Sequence, residues 1–245
     1  MEALALPAGA RLDRRVPKKL LVENGAPTAA DRRHINSGVD ELVWVAALKP
    51  ATAAVPAYRD DTREYLEIAV LSVALRPGAK ADRIVALVHR AVPYPVLLVT
   101  QGQQAGISLA HKRWCQGEAG KTVLDGAVVA ADWDGARDGP HEVAFRHALS
   151  LGRQPRASLF TLYHGWMHVV LALQAARRTG TFAIPTSAEH AAARRAAIDD
   201  CARLEAEIAR LRAAAARQKQ LRRQVELNLE LDRVQAARAA AYARL

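Results

Sequence analysis

Cysteine is scarce, long apolar runs are missing, and the last part of the chain has neither glycine nor proline. The two cysteines, Cys115 and Cys201, stand far apart in unlike contexts. That excludes a cysteine-built metal site and a disulfide framework, and fits a reducing cytoplasm. No apolar run approaches the ~20 residues that a membrane-spanning helix needs. The opening Met1–Ala10 is apolar but short, lacks a basic leader and contains Pro7, so a signal peptide is not expected. From Thr186 to Leu245 both helix breakers are absent, and Ala, Arg, Leu, Glu and Gln dominate. These are strong helix formers, and they predict a long helical tail.

What is present is basic charge. The formal net charge is +10 and the pI about 10.1. Such a balance favours a polyanionic partner, nucleic acid first and a membrane surface second. The bland alternative is an Arg- and Ala-rich chain that has drifted basic. At 245 residues the chain can bury one substantial core, or a core of about 150 residues with an extension. We divide it into a loosely attached N-terminus (1–15), an α/β head (16–180) and, after a Gly180–Pro185 linker, a coiled-coil tail (186–245).

In the head, Val16–Leu21 reads as a short extended piece around Pro17. Thr28 caps a helix that Ser37-Gly38 closes. Glu41–Leu48 and Tyr65–Leu75 are apolar runs rich in β-formers and bounded by turn residues, so they predict strands, with a polar loop between them. Ala81–Val92 places Ile84, Leu87, Val88 and Val92 on one helical face. Val96–Thr100 and Ile107–Ala110 form a hairpin across Gln101–Gln104. Shorter strands follow at Thr122–Leu124 and Ala127–Ala131, then helices at Ala144–Leu151 and Ala157–Arg178. This order predicts a mixed or mostly antiparallel sheet with helices on one face, an α/β (α+β) fold.

Thr186-Ser187-Ala188-Glu189 reads as a capping box directly after Pro185. Beyond it Ile198, Cys201, Leu204, Ile208 and Leu211 recur three and four apart, a heptad seam. The seam falters over Arg217–Gln220 and resumes out of phase at Leu227, Leu231 and Val234. A phase change means either a stutter in one long helix or a hairpin of two. The apolar stripe must pack on itself or on a partner, because a lone extended helix is unstable in water.

No catalytic motif is complete. Cys115–Thr122 imitates a phosphate-binding loop, but Cys115 stands where the first glycine belongs and strand rather than helix follows, so a surface turn is preferred. His164 and His168 have a usable metal spacing but no glutamate beside the first and no third ligand. Glu64 and Glu67 flank the second strand and are the candidates for a metal-dependent nuclease, against a loop of solvated acids. Lys112-Arg113-Trp114 combines cations with an aromatic, suited to nucleic acid or to a strand end with a buried Trp. Lys219, Arg222 and Arg223, with Arg217, form a basic cluster that fits phosphate contact or a solvated helix face.

Several segments together resemble a bacterial family, domain of unknown function 4391. They are Val16-Pro17-Lys18-Lys19 with Glu23-Asn24, the strand from Trp44 to Pro50, Ala91-Val92-Pro93-Tyr94-Pro95 with its strand, Ile107–Lys112, and Gln224-Val225-Glu226-Leu227-Asn228. The likeness covers nearly the whole chain in the same order. It implies an accessory subunit encoded beside DNA methyltransferases and helicases of restriction-like phage-defence loci. It supplies no catalytic residues.

The expected function is therefore a non-catalytic, DNA-associated adaptor of the cytoplasm, with no cofactor and no metal. Lys112, Arg113, Lys219, Arg222 and Arg223 would contact phosphate without reading sequence. Ile198, Leu204, Ile208, Leu211, Leu227, Leu231 and Val234 would dock a methyltransferase, a helicase or a second copy. The alternatives are a nuclease using Glu64 and Glu67, and a purely structural dimerisation module.

Overall fold

The computed structural model describes residues 1–118, 120–133 and 139–245. Strand β1 (Arg11–Arg15) is followed by helices α1 (Lys18–Gly25) and α2 (Ala29–Gly38), strand β2 (Val39–Leu48) and the short helix α3 (Pro50–Ala53). Strands β3 (Tyr58–Arg59), β4 (Glu64–Tyr65) and β5 (Ile68–Leu75) precede helix α4 (Ala81–Ala91) and strands β6 (Val96–Gln101), β7 (Gly106–Trp114) and β8 (Thr122–Asp132). Helices α5 (Pro140–Leu149), α6 (Leu159–Thr179), α7 (Ala188–Arg217) and α8 (Leu221–Tyr242) complete the chain. None of the described helices is long and apolar enough to cross a membrane. The chain separates into two compact units, Met1–Val170 and Leu171–Leu245.

The first unit is a mixed α/β fold. Its six-stranded sheet runs β1-β2-β5-β6-β7-β8, with β3 and β4 paired separately. Among the described strands only β5 and β6 pair in parallel, because α4 carries the chain back between them. The expected strands at β2, β5, β6 and β7 are where the apolar runs lie, and β8 is continuous across the two pieces expected there. Gly126 (φ 82°) sits at the irregularity in the β7–β8 register.

Three local expectations are corrected. Residues 1–15 are not loosely attached: β1 pairs antiparallel with β2, and Leu4 and Ala10 are buried. The five side chains of β1 are all exposed, so an edge strand gave no apolar signal. Val16–Leu21 is not extended beyond Pro17, which is the extended N-cap of α1. A proline restrains the residue before it, yet starts the helix after it. The polar loop expected between Leu48 and Tyr65 is not plain loop: between β2 and β5 lie α3 and the β3–β4 pair.

Helices cover both faces of the sheet, not one. Along β7, Ser108 and Lys112 reach the α4 side, where they meet His89. The intervening His111 lies against Phe160, Tyr163 and His164 of α6. Successive strand residues point to opposite faces, so the two helices lie on opposite sides. The α4 face packs Leu42, Leu71, Val73, Leu98, Ile84 and Leu87. Ile68, Val70, Leu97 and Leu109, of the other parity, are just as buried. Covering both faces explains why β5 and β6 read as continuous apolar runs.

Two sequence details set the first layer. Thr28 caps α2, its side chain accepting from the Asp31 amide at 3.1 Å. Gly25 lets α1 approach α4: a Cβ there would lie 2.7 Å from the Ala91 Cβ and 2.8 Å from the Leu87 carbonyl oxygen. Gly25→Val is expected to cost about 2 kcal/mol or more by overpacking, read as a lower urea midpoint at unchanged m-value.

The second unit holds the end of α6 and a helical hairpin of α7 and α8. The tail is not one straight helix: α7 ends at Arg217 and α8 begins at Leu221. Gln218 and Gln220 are extended, with ψ near 125° and 117°. Ser187, not Thr186, caps α7, accepting from the His190 amide at 3.1 Å. Cys201 and Leu204 of α7 pack with Val234, Ala241 and Tyr242 of α8. The Tyr242 hydroxyl donates to Glu205 at 3.0 Å, and Arg244 pairs with Asp200 at 2.8 Å.

Candidate functional site

A run of exposed positive charge without an acid lies at the α7–α8 turn. From Ile208 to Val225 the sequence contains no acid, yet carries Arg210, Arg212, Arg217, Lys219, Arg222 and Arg223. All six are exposed. Two have acidic partners at the margins: Arg210 donates to Glu207 at 2.9 Å and Arg222 reaches Glu226 at 3.5 Å. Exposed pairs of that kind are weak and screened, so they leave the tip strongly positive. Gln218, Lys219 and Gln220 sit at the bend between the two helices. The turn forms without glycine or proline because the Gln218 amide closes on the Ala215 carbonyl at 3.2 Å. The Gln220 amide also donates to the Gln218 side chain at 3.1 Å.

The hairpin changes the meaning of the apolar seam. Ile198, Leu204, Ile208 and Leu211 are buried within this chain, and Leu227, Leu231 and Val234 are half-buried on α8. Of the residues expected to dock a partner, Leu204 and Val234 pack between α7 and α8, since folding back covers part of the stripe. What stays open on α8 is a shorter row at i, i+4, i+8. Leu221 is 75% exposed, Val225 49% and Leu229 58%.

Lys112 is corrected outright. It is only 2% exposed and cannot reach a phosphate. Its ammonium donates to the His89 carbonyl and, at 2.7 Å, to the Val92 carbonyl. It therefore neutralises the negative end of α4 from beneath. Burial pulls its pKa down to about 8, against the ordinary lysine value of 10.5. Between those values the unfolded chain binds a proton that the folded chain does not, so stability rises with pH. From pH 8 to 10 the gain is expected to approach roughly 2–3 kcal/mol, and Lys112→Met is expected to flatten it. Urea titrations at pH 7.5 and 9.5 read both. Above pH 10 the buried Tyr65 and Tyr163, whose pKa values burial raises, act in the opposite direction.

Arg113 is half-buried. It donates to the Trp114 carbonyl at 3.3 Å and lies 3.9 Å from Asp125, which Arg63 also approaches at 3.2 Å. Glu64 and Glu67 are held by different cations. Arg59 pairs with Glu64 at 2.6 Å and Lys49 with Glu67 at 3.1 Å. Among the described residues no three His, Cys, Asp or Glu side chains form a group that could hold a metal. The Cys115–Thr122 loop is the turn between β7 and β8: the Cys115 amide donates to the Lys121 carbonyl at 2.9 Å, and Lys121 pairs with Glu118. Strand β8, not a helix, follows it, and its Ala119 lies outside the described residues.

One cluster was not legible in the sequence. The Tyr65 hydroxyl and His111 Nδ1 are 2.5 Å apart. His111 lies 5.5 Å, centroid to centroid, from His164. Phe160 stacks on His164 at 5.9 Å and on Tyr58 at 4.8 Å, and His164 meets His168 at 4.3 Å. Arg63 lies over the Phe160 ring at 5.3 Å. Burial first, then Arg63, lowers the His164 pKa. The cluster ties α6 to β4 and β7 and presents a half-buried aromatic surface. Phe160, His164 and His168 at i, i+4, i+8 were its only local signal, and their partners come from distant strands.

No curated protein and no solved structure matches this chain significantly. A family profile matches residues 4–237. By that match, which spans nearly its whole length, the chain belongs to the domain of unknown function 4391 family.

Proposed function

We propose that this protein is a non-catalytic accessory subunit that associates with nucleic acid through the α7–α8 tip, without reading sequence. The observation that carries this reading is the acid-free stretch from Ile208 to Val225, with its exposed cations at a helical turn. Cations at an exposed helical turn can each neutralise a phosphate and release a counterion. The tip has Gln218, Gln220 and Gln224 as further donors to phosphate or sugar oxygens, contacts that position rather than specify. Arg113 is a secondary contact at most, being partly committed to Asp125.

Protein docking belongs, in this reading, to the outer row Leu221, Val225 and Leu229. The α7–α8 pair would extend into a coiled coil with a helix of a methyltransferase or helicase of the same locus. The same row would serve a dimerisation module. Sedimentation of the free chain, then of the chain with its neighbours' products, separates the two readings. Leu221→Asp combined with Leu229→Asp removes the row's apolar character and is expected to abolish whichever association the row supports. The nuclease reading is not favoured, because Arg59 and Lys49 occupy the two carboxylates it requires.

A fluorescently labelled 25-base-pair duplex of arbitrary sequence tests the main reading. Binding is expected at low salt and is expected to fall steeply as salt rises. Absence of binding at the lowest salt that keeps the protein in solution contradicts it.

A further inference from the structure

We propose that a cleft on the α1–β2–α4 layer of the first unit docks an acidic segment of a partner protein, one apolar side chain of which fills it. The proposal goes beyond the nucleic-acid reading and does not depend on it. The cleft has a volume of about 160 Å³, and Val16, Leu20, Trp44, Val92, Pro93 and Tyr94 are among the residues that line it. Leu20 is 48% and Tyr94 39% exposed, an apolar lip left open to water. The Trp44 and Tyr94 rings lie 6.3 Å apart at 57° and present two aromatic surfaces to whatever enters.

Size and polarity select the occupant. Cofactor and drug-sized sites run to roughly 300 Å³ and more, so this cleft suits a single leucine or aromatic side chain. Two of its polar donors are already committed: the Trp44 indole N–H donates to the Ala46 carbonyl at 3.0 Å, and Asn24 donates to the Leu20 carbonyl at 2.8 Å. A nucleobase would bring a hydrogen-bonding edge against an apolar wall, which costs free energy. An apolar side chain leaves nothing unpaired.

Charge selects what flanks that side chain. Lys18 lies between Val16 and Leu20, Arg90 immediately precedes Ala91, and Arg14 lies two residues before Val16. None of the three has an ion pair among the described residues, whereas the neighbouring acids Glu23 and Glu41 are held by Lys19 at 3.6 Å and Arg15 at 3.4 Å. None of the three cations lines the cleft, but each lies within two residues of one that does, so the charge around it is net positive and complementary to acids beside the anchor. A second copy of this chain, itself at +10, is repelled. Val16, Asn24, Trp44 and Ala91–Tyr94, which fall within segments that carry the family resemblance, line this cleft from distant parts of the sequence.

The test selects a random dodecapeptide library on the full chain, then measures the enriched peptides by fluorescence polarisation. Enriched peptides are expected to carry one leucine or aromatic residue among acids. Their affinity is expected to fall at least about tenfold with Leu20→Asp, and similarly with Lys18→Glu plus Arg90→Glu. Charge reversal at the α7–α8 tip is expected to leave it unchanged. Tyr94→Ser, at an exposed position, replaces Leu20→Asp if that variant melts early. The proposal is overturned by no enrichment, by peptides without the anchor or the acids, or by affinity blind to these variants. Displacement of the peptide by a single-stranded oligonucleotide, or self-association through the cleft, overturns it equally.

Discussion

Replacing Arg217, Lys219, Arg222 and Arg223 together with glutamate is expected to abolish duplex binding at physiological salt. Four phosphate contacts contribute about 3.6 to the slope of log K against log salt, at roughly 0.9 per contact. Their reversal is expected to remove most of that slope and at least about a hundredfold in affinity at low salt. Net charge alone does not explain such a loss if location matters. The same charge change at Arg32, Arg33, Lys80 and Arg153, all exposed on the first unit, is expected to cost only a few-fold. Electrophoretic mobility shifts across a salt series compare the two quadruple variants directly. Equal losses would make the interaction a property of total charge and not of the tip.

Acid is expected to destabilise the first unit well before its carboxylates titrate. His89 is fully buried on α4. Its Nε2 lies 3.0 Å from the Ser108 hydroxyl, and its Nδ1 finds no hydrogen-bond partner among the described residues. Burial first, then the nearby Lys112 ammonium, lowers its pKa from the ordinary 6.5 to about 3. Below pH 6.5 the unfolded chain takes up a proton that the folded chain refuses, so stability falls by up to roughly 1.4 kcal/mol per pH unit. Half-buried His164, whose pKa is also lowered, acts in the same window. Asp31, held down to about 2 chiefly by its hydrogen bond from Arg83, acts only below the ordinary carboxylate range. His89→Gln retains a hydrogen-bonding side chain but cannot take the proton. It is expected to remove the larger part of the slope between pH 6 and 4, measured by urea unfolding at fixed ionic strength. An unchanged slope would mean that His89 is protonated in the folded protein.

Strands whose apolar residues are buried on both sides were readable directly, because β5 and β6 leave no polar interruption. So were the amphipathic face of α4 and the Thr28 cap, whose determinants are local. Edge strand β1 was not readable: Arg11–Arg15 has no apolar period, and its place depends on backbone pairing with β2. Burial of Lys112 was hidden for a related reason. The residue type says surface, while its parity with Ser108 and the exposed carbonyls at the end of α4 place its ammonium beneath a helix. Sheet coverage on both faces depended on where α6 returns, a long-range fact absent from any window of sequence.

The tail illustrates how far periodicity reaches. A seam that changes phase at Arg217–Gln220 fits a stutter or a hairpin equally well, and only packing of Cys201 and Leu204 with Val234 and Ala241 selects the hairpin. That choice places part of the stripe, Leu204 and Val234, in internal packing. It also gathers Arg217, Lys219, Arg222 and Arg223 at one turn, where a straight helix would distribute them around its surface. The tip is thus a product of topology, although each cation in it was visible in the sequence.

The most direct measurement is photochemical cross-linking of the full chain to a duplex of random sequence, with the attached peptides mapped by mass spectrometry. Cross-links are expected to concentrate between Ile208 and Val225 and to vanish with salt. Cross-links confined to residues 1–170, or a complex that survives high salt with the tip unlabelled, would contradict the account.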